Sequence, residues 1–212
     1  MSVVSTSPPV TEAPTTPVPV QKASNKPIVI GVYNVTASAG STTLIYMMLK
    51  ELIHSYGDDN VLALEIDRSD FSYFYHPRMI SVKSVNLKST LQNYSNAKII
   101  LIDLNDLMNE SVCDEILYLL EPRTLKLNRL IERNKTIFKK LANKKVILNQ
   151  SILQANDVFN FENEAGIKIF YNLPPLDERK RNSIISDLLA RLGLLEDSGN
   201  VSSGKIFGLF RR

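Results

Sequence analysis

The 212-residue sequence predicts an α/β domain built on a doubly wound, mainly parallel sheet flanked by helices. Short β-branched or Leu-rich apolar runs alternate with longer stretches of helical period. The first such run leads through a loop of small residues, ASAGSTT at 37–43, straight into a helix, and Gly57 and Gly193 fall where two helices should stop. Strands are expected at Ile28–Asn34, Val61–Ile66, Lys98–Asp103, Glu115–Leu120, Lys145–Asn149 and Ile167–Tyr171, each too short for a typical helix. Helices are expected at about Thr42–Tyr56, Arg123–Ala142, Asp157–Glu164 and Asp177–Leu192. In a sheet of this kind ligands sit beyond the carboxyl ends of the strands, so the loops after Asn34, Ile66 and Asp103 are where a site is expected.

The ends of the chain differ in composition from this core. Residues 1–26 are rich in Pro, Ser, Thr and Val, with Pro8, Pro9, Pro14, Pro17 and Pro19 opposing both helix and ladder formation, and are expected to form a disordered tail. The expected α/β domain runs over 27–195. Residues 196–204, EDSGNVSSG, have the composition of a flexible linker, and 205–212 form a last short segment.

Composition narrows the function classes. A hydrophobic fraction of 44% and a charged fraction of 22% fit an ordinary globular protein. One cysteine, Cys113, rules out an internal disulfide framework, and with only His54 and His76 beside it the clustered ligands of a zinc site are not expected. No run approaches the ~20 apolar residues of a membrane span, and the first residues lack a basic start with an apolar core. A cytoplasmic protein is expected. The net charge of +3 permits an anionic partner without requiring one.

The segment Ile28 to Lys50, IVIGVYNVTASAGSTTLIYMMLK, has the strand, loop and helix order of a phosphate cradle. Backbone N–H groups of such a loop point inward and the helix N-terminus adds partial positive charge, so an anion is held before any side chain helps. Gly40, Ser41, Thr42 and Thr43 would supply the amides, and the Thr42 hydroxyl is placed to reach a magnesium ion. The alternative is a tight strand-to-helix connection with Thr42 acting as an N-cap.

Here the chain resembles the MinD/ParA ATPases, whose deviant Walker A loop reads K-G-G-x-G-K-[ST]-T after a strand and an Asn. Asn34 matches that Asn, Gly40 the last glycine, and Thr42 and Thr43 the hydroxyl pair. Thr36 stands at the signature lysine, Ala37 and Ser38 at two glycines, and Ser41 at the lysine that reaches the β- and γ-phosphates. The likeness continues through VLALEIDRSD (61–70), where Glu65 replaces the first Asp of a D-x-D ending and Asp67 keeps the second. NAKIILIDLND (96–106) resembles the Walker B strand with Asp103 on the metal side, and KKVILNQS (144–151) the strand whose Asn, here Asn149, faces the base. CDEILYLLEP (113–122) and 156–181 extend it, the latter most of all toward the pilus-localising CpaE/TadZ branch. From the residues alone, Asp103 and Asn149 serve equally as turn residues.

The resemblance implies ATP or ADP with magnesium as cofactor, held by Asn34, Gly40, Ser41, Thr42, Thr43 and Asn149, with Thr42 and Asp103 toward the metal and Asp67 and Asp103 as the acids of an active site. It also implies a homodimer. Phosphoryl transfer is mostly positioning and charge neutralisation, so loss of both lysines predicts loss of turnover, a pseudo-ATPase. An active ATPase would have to draw on Lys50 or a cation from elsewhere.

The last segment, GKIFGLFRR (204–212), puts Ile206, Phe207, Leu209 and Phe210 between Lys205 and the pair Arg211 and Arg212. Wound as a helix, Ile206, Phe207 and Phe210 share a face, as in the C-terminal membrane-targeting helix of MinD, and an anionic lipid surface is the expected partner. Each cation there is worth about 1 kcal/mol, so one copy binds marginally and two copies on a dimer bind firmly. A second basic feature spans 123–145, where Arg123, Lys126, Arg129, Arg133, Lys135, Lys139, Lys140, Lys144 and Lys145 face one acid, Glu132. It reads as a solvated face whose apolar stripe, Leu127, Leu130, Ile131, Ile137, Phe138 and Leu141, packs on the sheet, with DNA or anionic lipid as the alternative partner. The expected function is a peripheral scaffold at the inner face of the membrane that positions or recruits a secretion, conjugation or pilus-type assembly. A working ATPase and a DNA-partition factor are the alternatives.

Overall fold

Strands with near-continuous apolar sequence belong in the middle of a parallel sheet, where both faces are covered. The computed structural model, which describes residues 26–105 and 107–195, has that arrangement. Seven strands, β1 (Ile28–Asn34), β2 (Val61–Ile66), β3 (Met79–Val82), β4 (Ile99–Leu104), β5 (Glu115–Leu120), β6 (Lys145–Leu148) and β7 (Ile169–Asn172), form one sheet in the order β3-β2-β4-β1-β5-β6-β7. Every pairing is parallel. The central strands β2 and β4 are buried along their whole length.

Among the described residues six α-helices cover the sheet: α1 (Ser41–Tyr56), α2 (Leu87–Asn93), α3 (Thr124–Arg133), α4 (Ile137–Leu141), α5 (Ala155–Ala165) and α6 (Ser183–Arg191). α1 and α6 share one face, where Leu44, Met48, Leu49 and Leu52 meet Ile185, Leu188 and Leu189 over the alternate residues Ile30, Val32, Ile99 and Leu101 of β1 and β4. The other face carries α2 over β2 and β4, and α3, α4 and α5 over β5 and β6. Gly57 ends α1 at φ 84°, and Gly193 follows α6 at φ 72°, with the Leu194 N–H returning to the Leu189 carbonyl at 2.9 Å. Both act as the left-handed stops the sequence assigns them.

Three expectations are corrected. The stretch read as one helix over Arg123–Ala142 is two, because the Asn134 side chain accepts from the Thr136 N–H at 3.2 Å and turns the chain between α3 and α4. The helix expected from Asp177 begins at Ser183, since Asn182 caps it by accepting from the Ile184 N–H at 3.0 Å, while Asp177 holds a separate turn through the Arg179 N–H. Ile131, placed in the sheet-facing stripe, is exposed; Leu127, Leu130, Ile137 and Phe138 are half-buried there. The segments 1–25 and 196–212, with the expected tail, linker and membrane-targeting residues Lys205, Ile206, Phe207, Leu209, Phe210, Arg211 and Arg212, lie outside the described residues. No helix among the described residues is long and apolar enough to cross a membrane.

Candidate phosphate loop at the carboxyl ends of β1, β2 and β4

The loop from β1 to α1 lies at the sheet's switch point, where β1 runs between β4 and β5. Gly40 precedes the helix at φ 93°, a left-handed conformation natural to glycine. A Cβ there would stand 2.9 Å from Asn149 Nδ2. Asn149, just beyond β6, donates through that same nitrogen to the Ala39 carbonyl at 2.6 Å. Asn149 therefore clamps the loop.

Around Ser41 the polar groups close on one another. The Asn34 side chain donates to Ser41 Oγ at 2.7 Å and accepts from the Ser41 N–H at 3.1 Å, satisfying one of the helix's orphan amides. Ser41 Oγ in turn donates to Asp103 Oδ1 at 2.7 Å, and Thr42 Oγ1 donates to Asp103 Oδ2 at 2.6 Å. Asp103, at the end of β4, is fully buried. Burial pushes its carboxyl above the usual range, and the hydrogen bonds from Thr42 and Ser41 and the charge of Arg68 oppose that rise. Asn34, Gly40, Ser41, Thr42, Asp103 and Asn149 thus form one cluster, and Thr43 lies in the first turn of α1 beside them.

Asp67 is not brought into it. It leaves β2 at φ 54° and its exposed carboxylate accepts from the Ser84 N–H at 3.1 Å, which holds its pKa down. Glu65, at the position of the first Asp of the D-x-D ending, is fully buried and accepts from Asp70 N, Phe71 N and Ser81 Oγ, fixing the turn after β2. Thr36, at the signature lysine position, is buried and its hydroxyl accepts from the Glu121 N–H at 2.9 Å.

Two cations that the motif does not name approach the loop. Arg68, one residue past Asp67, places Nη1 3.5 Å from Asp103 Oδ2 and Nη2 3.4 Å from Thr42 Oγ1, with its fork also paired to Asp70. Lys126 of α3 donates to the Ser38 carbonyl at 3.1 Å and pairs with the buried Glu121 at 2.5 Å, where Arg123 adds a second ion pair at 2.7 Å. Lys50 points elsewhere, onto the Glu178 carbonyl at 3.0 Å and the Tyr46 ring. A side chain's reach from a neighbouring loop has no spacing rule, which is why Arg68 and Lys126 carry no signal in the motif. The only hint for Arg68 is its place in the loop after β2, one of the loops where a site is expected. Cys113 is half-buried and burial pushes its thiol up to about 12, so it stays protonated.

The Thr42 hydroxyl and Asp103 carboxylate are the donor types a magnesium ion takes, but in this arrangement they do not fit one. Each Asp103 oxygen already accepts a hydroxyl, Asp103 is the one carboxylate in direct contact with Thr42 among the described residues, and the Arg68 guanidinium lies against both.

No protein-family model matches the chain, and no curated protein matches it in sequence. Solved structures do. A ParA family ATPase from Chlorobium tepidum aligns at 17% identity and a TM-score of 0.50, over 82% of this chain and 94% of that one. The MinD cell division protein of Aquifex aeolicus aligns at 16% identity and a TM-score of 0.50, over 78% and 97%. The MinC:MinD complex from the same organism gives 16% identity and a TM-score of 0.52, over 85% and 100%. With its all-parallel seven-stranded sheet and a strand-loop-helix at the switch point, the chain has the fold of the MinD and ParA ATPases.

Proposed function

We propose that this chain is a catalytically idle member of that fold, a scaffold that holds a nucleotide's phosphates without discharging them and recruits or positions an assembly of the secretion, conjugation or pilus type. The observation that carries this is Ser41. Where an ATPase of the resembled family has a lysine aimed at the β- and γ-phosphates, this chain has a buried hydroxyl hydrogen-bonded to Asp103. Thr36, at the signature lysine position, is turned inward, its hydroxyl accepting from the Glu121 N–H. The loop itself offers no lysine for a transition state, and the cations that approach it are held in ion pairs, Arg68 with Asp70 and Asp103 and Lys126 with Glu121.

The recruiting surface is the carboxyl rim of the sheet. Tyr73, Met108, Leu125 and Ile152, each in a segment that follows a strand's carboxyl end, are all strongly exposed large apolar side chains around the loop. Their exposure supports self-association as a homodimer through this rim. Residence at the inner face of the membrane rests on the sequence of 205–212, and two copies on a dimer would add their affinities through effective concentration. A DNA-binding reading is favoured by one feature only, the exposed cations Arg129, Arg133, Lys135, Lys139 and Lys140 of α3, α4 and the turn between them.

Phosphate release from ATP by the full chain tests the central claim. The expected rate equals the buffer background and is unmoved by Asp103→Ala; magnesium-dependent turnover that Asp103→Ala abolishes would make the chain an enzyme. Sedimentation with anionic liposomes, full chain against a truncation after Gly204, tests the membrane part. Equal pelleting would remove it.

A further inference from the structure

In a phosphate loop with a working metal site, something positive must sit between the loop's first hydroxyl and the acid at the end of the neighbouring strand. In this chain Thr42 Oγ1 donates directly to Asp103 Oδ2 at 2.6 Å, and the positive charge that lies against that pair is a side chain. Arg68 lies 3.5 Å from Asp103 Oδ2 and 3.4 Å from Thr42 Oγ1, and the same guanidinium is also paired with Asp70 through Nη2. Its side chain is only 28% exposed, so it is packed into the site rather than waving over it.

We propose that Arg68 is the resident counter-cation of Asp103 and that this loop takes a nucleotide's phosphates without recruiting magnesium. The inference rests on the reading of the loop as a phosphate cradle and departs from what the fold would lead one to expect of its metal. Three observations support it. Magnesium requires near-octahedral oxygen ligands and sheds its waters reluctantly, usually binding through one or two carboxylates together with the phosphates. The other acids nearby are committed: Glu65 to two backbone N–H groups and Ser81, Asp67 to Ser84, and Asp70 to Arg68 itself. A hydrated dication beside Asp103 would also meet the guanidinium, a like charge held in place by Asp70. An arginine is suited to the substitution because its planar fork always carries charge and can bind a carboxylate on one side and phosphate oxygens on the other.

The test is a titration of the full-length protein with a fluorescent ATP analogue in magnesium and, separately, in EDTA. Wild type is expected to bind with affinities that agree within about twofold in the two conditions. Arg68→Gln, which keeps the volume and some hydrogen bonding but removes the charge, is expected to bind at least tenfold more weakly in EDTA, about 1.4 kcal/mol, and to regain affinity when magnesium is added. Arg68→Lys keeps a cation and should remain indifferent to the metal. Thermal melting of each variant separates loss of binding from loss of fold. A wild type that binds the analogue only with magnesium overturns the proposal, as does an Arg68→Gln protein that matches wild type in EDTA. Absence of analogue binding in both conditions overturns it too, yet leaves the absence of turnover standing; phosphate release in the same tubes would instead sink the idle reading alone.

Discussion

The two faces of the sheet are built differently. On one, α1 buries eight of its sixteen residues, including Leu44, Ile45, Met48, Leu49 and Leu52, and α6 closes over them with Ile185, Leu188 and Leu189. On the other, neither α3 nor α5 buries a single residue fully, and α4 buries only Leu141. The deep face begins with Ser41 and so fixes the loop that holds Asp103. The shallow face displays charge, with cations outnumbering acids along α3 and α4, and rests on half-buried Leu127, Leu130 and Phe138. Burial is deepest beneath the candidate phosphate loop, and the more exposed helices α3, α4 and α5 lie on the other face.

The largest expected effect sharpens that contrast directly. Leu49→Ala removes a fully buried side chain from α1 and should cost about 3.5 kcal/mol of unfolding free energy, the middle of the range for core leucines. Leu127→Ala on α3 removes a half-buried one and should cost about 1 kcal/mol. Urea denaturation of the two variants measures both. Equal losses would mean that the second face is as tightly built as the first.

A smaller effect separates two left-handed glycines. Ala at Gly193 meets no atom within 4 Å and pays only for its positive φ, about 1 kcal/mol. At Gly40 the same methyl group would press on Asn149 Nδ2 at 2.9 Å and push it from the Ala39 carbonyl, so the loss should reach about 2 kcal/mol. Gly40→Ala should also weaken nucleotide-analogue binding where Gly193→Ala does not. Identical behaviour of the two variants would show that Asn149 does not hold the loop.

Most of the sheet could be read from sequence because burial on both faces leaves continuous apolar runs. The bounds of Ile28–Asn34, Val61–Ile66 and Glu115–Leu120 agree with the structure to the residue. The edge strand β3 escaped notice, being four residues, Met79–Val82, that follow Pro77 and an aromatic stretch which itself divides between buried Phe71 and exposed Tyr73 and Tyr75. α2 was missed for a similar reason, since LKSTLQN offers only Leu87 and Leu91 as a helical pair. At the site, positions set by strand ends and by the loop, such as Asn34, Gly40, Asp103 and Asn149, were legible. Arg68 and Lys126 were not, because the direction of a long side chain from a turn or from the first turn of a helix depends on contacts such as Arg68 with Asp70 and Lys126 with Glu121, which no periodicity encodes.

Within α1 the deep face also carries a buried carboxylate, and its titration differs in sign from that of Asp103 at the loop. Glu51 of α1 is buried at 7% side-chain exposure and accepts from Arg181 at 2.6 and 3.0 Å and from Ser186 at 3.0 Å. The Arg181 hydrogen bond holds its carboxyl below the ordinary value of 4.5, against the opposing cost of burial. A lowered folded pKa means that the contribution to stability is present above 4.5 and disappears as the pH falls through that value toward the folded one. Asp103 works in the opposite sense, since burial raises its carboxyl and its contribution is largest in acid and lost as the pH rises. The wild-type acid profile is therefore a composite, and only a difference isolates either group. Glu51→Gln should lose about 1.5 kcal/mol at neutral pH, the usual worth of a hydrogen bond to a charged group. The gap to wild type should close as the pH drops below the carboxylate range. A gap that stays constant down to acid would mean that the Arg181 bond stabilises through its geometry and packing rather than through the charge on Glu51.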